Sequence, residues 1–195
     1  MIEKGVRIIP RVVDAITDLV NYATTQEWQL RNATGRDDQT ATPGEIAYLV
    51  PVSENWVILR DDAWIGFKFI SVLGPRSDHL VHGIRRRMDA WTEDELLTRW
   101  DRANQTAVAD EAIDEAIDAI LHLGVGSPAA SDARYVERLN AGLSHCDARI
   151  RNAAIGAVAY ADWRSLQSAL DRIQKQDPDA KARERATFVL KGWAK

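Results

Sequence analysis

The chain has 195 residues, 46% hydrophobic and 28% charged, enough for one large or two small domains with apolar cores of their own. Its 25 Lys and Arg against 29 Asp and Glu leave a formal net charge of −4, which offers no overall basic field and argues against generic coating of nucleic acid by counterion release. The single cysteine, Cys146, rules out an internal disulfide and fits a reducing compartment. The opening Met1–Gly5 and the stretch after it, broken by Arg7, Pro10, Arg11 and Asp14, contain neither a signal-peptide core nor an apolar run of roughly 20 residues. The expectation is a cytoplasmic protein without a membrane span.

In chain order, Val6, Ile9, Val12, Val13, Ile16, Leu19 and Val20 recur at steps of three and four and predict a first helix over about 6–24, its proper start near Pro10 and Arg11. The short Glu27–Arg31 stretch carries no assignable period, and Asn32 to Gly44, rich in Asn, Thr, Gly and Asp, reads as a loop with little to bury. The period then changes. Ile46, Tyr48, Val50 and Val52 alternate, and Trp56–Leu59 and Trp64–Ile70 are rich in β-branched and aromatic residues, so three antiparallel strands are expected. Arg60-Asp61-Asp62 forms the turn of the tighter pair, and Gly74-Pro75 ends the sheet. With the first helix as cover, this makes a small α+β unit.

Ser77 suits the start of a short helix over His79 to Ala90, and Thr92 followed by Glu95 is a capping box opening a helix with Leu96, Leu97 and Trp100 on its apolar face. Beyond it everything reads as helical, which divides the chain into 1–91, a small α+β domain, and 92–195, an all-α region.

The second half repeats itself. Asp147, Ile150-Arg151, Ala154 and Val158 return as Asp179, Ala182-Arg183, Ala186 and Leu190, and a weaker copy runs from Asp110 to Leu121, with Asp114 where the others carry Arg151 and Arg183. The Asp suits a helix start, the small Ala suits close approach of a neighbouring helix, and the apolar spacing builds a buried face. Asp132–His145 and Ser165–Gln176 supply partner helices. This pattern resembles the second helix of the HEAT-repeat family over about residues 93–195. The resemblance implies a short α-solenoid, a fold that mostly serves as a binding scaffold. The bland alternative is a helical bundle whose self-similarity is accidental.

Candidate chemistry is sparse. His79 and His82 stand beside Arg85-Arg86-Arg87 without a further ligand pattern. His145-Cys146-Asp147 reads as a helix junction with Asp147 as cap and Cys146 buried or inert. Gly124–Pro128 lacks the Lys-Ser/Thr of a phosphate loop, and Asp61-Asp62 has no third carboxylate nearby. No metal, cofactor or catalytic residue is assigned, although an enzyme site around Asp37 and Asp38 is one reading left open.

Two charge features carry the functional expectation. Asp110, Asp114 and Asp118, with Glu111 and Glu115 beside them, predict an acidic stripe without a compensating base. This is either a solvated face or a ridge for a basic protein. Arg76, Arg85, Arg86 and Arg87 cluster near the boundary and suit either an anion or the acidic Glu93–Glu95. Trp163, at a repeat turn, is a candidate binding anchor. The leading expectation is a non-catalytic protein-binding scaffold, in its concrete form a bacterial immunity or antitoxin-like inhibitor of a basic protein. The alternative is a nucleic-acid-binding HEAT-like protein that uses the arginine cluster together with Arg183, Arg185, Lys191 and Lys195.

Overall fold

The computed structural model describes residues 5–40, 42–75 and 77–194, so Met1–Lys4, Ala41, Arg76 and Lys195 lie outside the described residues. The chain is α+β and divides between Trp91 and Thr92 into two compact units.

In the first unit β1 (Val6–Ile8) and α1 (Ala15–Thr25) are followed by β2 (Gln29–Thr34), β3 (Gly44–Val50), β4 (Asn55–Asp62), β5 (Phe67–Leu73) and α2 (Ser77–Arg87). The strands form one five-stranded antiparallel sheet in the order β1-β5-β4-β3-β2. This corrects the expected three strands, and the two additions sit at the edges, where pattern is weakest. β1 comes from the segment expected to begin the first helix. Pro10 has no N–H and biases Ile9 away from helical geometry, so Val6–Ile8 is left to pair with β5 and the helix starts only at Ala15, capped by Asp14. β2 lies in the stretch expected to be unassigned chain and loop. All of its residues are exposed, so it carries no apolar alternation, and a bulge at Arg31 interrupts its register with β3.

Arg60-Asp61-Asp62 is the end of β4 and not a turn. The chain reverses over 63–66, where Asp62 Oδ1 accepts from the Trp64 N–H at 2.9 Å and Gly66 takes φ +81°, a conformation an L side chain rarely adopts. Every second residue of the central strands, Tyr48 and Val50, Val57 and Leu59, Ile70 and Val72, enters one core with Leu19 and Ala23 of α1 and Val81, Ile84 and Met88 of the α2 segment. Both helices therefore cover the same sheet face.

The second unit contains α3 (Glu93–Thr106), α4 (Asp110–Val125), α5 (Ala133–Leu143), α6 (Ala148–Ala161), a 3-10 turn at Arg164–Leu166, α7 (Gln167–Gln176) and α8 (Ala180–Trp193). Helices pack as successive pairs, α3 with α4, α5 with α6 and α7 with α8. In addition α4 touches α6 and α6 touches α8, while α3 touches α5 and α5 touches α7. The capping box is present: Thr92 Oγ1 accepts from Glu95 N at 3.3 Å, and Glu95 Oε2 accepts from Thr92 N at 2.8 Å. Asp147 and Asp179 cap α6 and α8 by accepting from the N–H groups of Arg149 and Ala182, each at 2.7 Å. Asp110 differs, because it is the first residue inside α4 and the cap position belongs to Ala109, whose methyl offers no hydrogen-bond acceptor.

α4 and α6 approach closely at Gly124, where a Cβ would run into the backbone of Ala157. The Gly124–Pro128 stretch is thus the end of a helix pressed on its neighbour, with Ser127 Oγ donating to Gly124 O at 2.8 Å.

Candidate protein-binding surface

The acidic stripe on α4 is real but not uncompensated, which corrects the sequence expectation. Arg99 of α3 donates from Nε to Glu115 Oε1 at 2.9 Å and from Nη2 to Glu115 Oε2 at 3.1 Å, and it reaches Asp118 Oδ2 at 2.5 Å. Asp118 also faces His122 Nδ1 at 3.3 Å, and Arg149 Nη2 lies 3.0 Å from Asp110 Oδ1. The compensating bases come from neighbouring helices, out of reach of any local charge count along α4. The hydrogen bonds from Arg99 hold Glu115 below the usual carboxylate range. Glu111 and Asp114 stay exposed at the open end of the stripe, and Asp110, although paired, keeps its side chain 87% exposed.

A buried charge network joins α6 to the α7–α8 loop and the start of α8. Arg151 forks onto Asp177 through Nε and Nη2, both at 2.8 Å, and its Nη1 donates to the carbonyls of His145 at 2.9 Å and Cys146 at 2.8 Å. The side chains are only 10% and 5% exposed. Asn152 adds a bond from Nδ2 to Asp179 Oδ1 at 3.0 Å. These bonds favour the ionised carboxylates, with Arg151 the main influence on Asp177 and Asn152 on Asp179, so both lie below the usual range. Arg183, the counterpart of Arg151 in the next repeat, gives Nη1 to the carbonyls of Asp177 and Pro178 in the same way.

His122 is 8% exposed, and burial pushes its pKa below the ordinary 6.5. The sign of the pH dependence follows. A lowered pKa means that the unfolded chain takes up the proton first, so stability is complete above about 6.5 and begins to fall as pH drops below it. Asp177 and Asp179, depressed below 3.8, add a second loss in more acidic solution, where the unfolded carboxylates protonate before the folded ones. Urea unfolding followed by Trp fluorescence across this pH range is expected to show both limbs. His122→Gln should abolish the upper limb only; an unchanged upper limb would refute this assignment.

The other sequence candidates fall as follows. Trp163 is 4% exposed and packs edge-on to Tyr135 with ring centroids 6.1 Å apart, so it belongs to the core and offers no surface anchor. Cys146 is exposed, not buried, and His145 Nδ1 accepts from the Asp147 N–H at 3.0 Å, so these three residues form a helix junction. Asp37 organises its own turn by accepting from Gln39 N and Thr40 Oγ1, each at 2.9 Å, and Asp61 is bracketed by Arg36 at 3.2 Å and Lys68 at 3.3 Å.

Among the described residues no group of three or more His, Cys, Asp or Glu side chains could hold a metal ion, and no helix is long and apolar enough to cross a membrane. In the basic cluster Arg76 lies outside the described residues. Arg87 faces Asp18 at 3.6 Å, Arg85 is half-buried, and Arg86 is exposed. Glu93 and Asp94, the acids expected to meet that cluster, face Arg134 at 3.6 and 3.4 Å.

Comparisons of the chain with family models, curated proteins and solved structures gave no match.

Proposed function

We propose that this chain is a non-catalytic protein-binding scaffold of HEAT-like helix pairs whose α4 surface recognises a basic protein, in the manner of a cytoplasmic immunity or antitoxin-like inhibitor. The observation that supports this reading is the position of Asp114. At the corresponding places in α6 and α8, Arg151 and Arg183 turn onto the carbonyls of their own loops. Asp114 instead stays exposed on α4, one turn from the exposed Asp110 and beside Glu111. Like charges at that spacing weaken a helix, and a basic partner would relieve them while gaining orientation and association rate. Arg99 gives Glu115 and Asp118 a supporting role, and Arg149 does the same for Asp110, which leaves Glu111 and Asp114 as the recognising acids.

The test is capture from nuclease-treated lysate of the source organism at low and moderate salt, with the wild type and a Glu111→Lys/Asp114→Lys variant. A basic protein retained by the wild type and lost from the variant is the expected result. Retention by both, or binding that disappears with nuclease, would reject the acidic surface. The second outcome would bring forward nucleic-acid binding through Arg86, Arg183, Arg185 and Lys191.

A further inference from the structure

The outer face of α8 carries features that its repeat counterpart α6 keeps covered. Phe188 is 76% exposed, and its counterpart Gly156 is buried. Glu184 is exposed, and its counterpart Asn152 is buried and bonded to Asp179. Arg183 repeats the carbonyl contacts of Arg151, yet among the described residues no carboxylate meets its Nε and Nη2, the atoms Arg151 uses on Asp177. A large exposed aromatic with Glu184 and Lys191 flanking it on one helix face describes a surface that a partner can cover.

The charges decide what covers it. A two-fold contact of α8 with α8 of a second copy is complementary. Glu184 lies one turn before Phe188 and Lys191 one turn after it, so they form a single stripe along α8 with Phe188 between them. Two antiparallel α8 helices related by a two-fold axis near Phe188 bring Glu184 of each copy beside Lys191 of the other. Isologous pairing of this kind needs a self-complementary patch, and this stripe is one.

We infer that the outer face of α8 is a homodimerisation surface, with Phe188 at the two-fold axis and Glu184–Lys191 pairs on either side. A contact of one helix pair is smaller than a standard protein interface, so the dimer is weak and concentration-dependent. Sedimentation equilibrium of the full chain at concentrations up to about 1 mM, the weak end of the affinity scale, is the measurement.

The wild type is expected to associate to a dimer. Phe188→Glu and Glu184→Lys should each weaken association about tenfold or more, and the double swap Glu184→Lys/Lys191→Glu should restore it, because the swap recreates both pairs. Exposure of these side chains leaves the fold intact, which circular dichroism of each variant checks. A wild type that stays monomeric throughout overturns the proposal, as does a dimer indifferent to Phe188→Glu or a swap that fails to rescue. The Glu111→Lys/Asp114→Lys variant should dimerise normally, which separates failure of this surface from failure of the α4 surface.

Discussion

Arg151→Ala is expected to destabilise the helical unit by about 3–5 kcal/mol, the range for breaking a buried ion pair from one side. The variant strands the Asp177 carboxylate, 5% exposed, and removes the donor shared by the carbonyls of His145 and Cys146. Two effects compete: relief of the cost of burying the guanidinium, and the penalty of leaving a buried carboxylate without its counterion. The second wins, because the one hydrogen bond the Asp177 carboxylate keeps among the described residues is from the Asp179 N–H at 2.9 Å, and Arg183 acts on that carboxylate only through its charge. Chemical denaturation of wild type and variant measures the difference.

Arg134→Ala is the informative control. Arg134 reaches Asp132 at 2.9 Å, Asp94 at 3.4 Å and Glu93 at 3.6 Å, but its side chain is half exposed, so its removal should cost no more than about 1 kcal/mol. If the two variants lose equal stability, the buried network is not what holds α6 to the α7–α8 loop and the start of α8.

Gly124→Ala tests the α4–α6 contact and is expected to act against helix propensity. In an open helix interior the change would stabilise by up to about 1 kcal/mol. Here the added methyl falls on the Cα, Cβ and carbonyl oxygen of Ala157, and backbone cannot swing aside as a flexible side chain would. Separating two packed helices costs about 1–3 kcal/mol, so the net change is a loss. Gly192→Ala, in α8 with no atom near the new methyl, should be neutral or stabilising by about 0.5 kcal/mol. Thermal unfolding of the pair decides the matter: a Gly124→Ala protein at least as stable as the wild type would show that the helices slide freely.

What the sequence reveals here depends on whether a signal is local. The caps at Thr92, Asp147 and Asp179 are readable because an N-cap bonds backbone two or three residues away. The central strands are readable because β3, β4 and β5 bury alternate residues. β2 is not readable, since all of its residues are exposed and only pairing with β3 makes it a strand. At the amino terminus a helical period in the apolar residues outweighed the one residue that breaks it: Val13, counted toward the apolar face, is fully exposed, while Pro10 was the better guide. Gly66 was the missed sign of the true β4–β5 turn, masked by the neighbouring aspartates.

At the candidate site the acids of α4 were readable and their partners were not, because Arg99 and Arg149 stand on other helices. Trp163 shows the same limit. A turn position suggested exposure, and only the packing of Tyr135 against it shows otherwise.

The pairing of β1 with β5 places Val6 opposite Val72, near opposite ends of the first unit. Closing so long a loop carries an entropic cost, whereas the ion pairs Arg134–Asp94 and Arg149–Asp110, which join helices, span 40 and 39 residues. During synthesis the first strand emerges earliest and waits longest. It has no place until its neighbour, four strands later in the sequence, has left the ribosome. Assembly order and sequence order therefore run in opposite directions at this edge, where the first strand made is the last to find its partner.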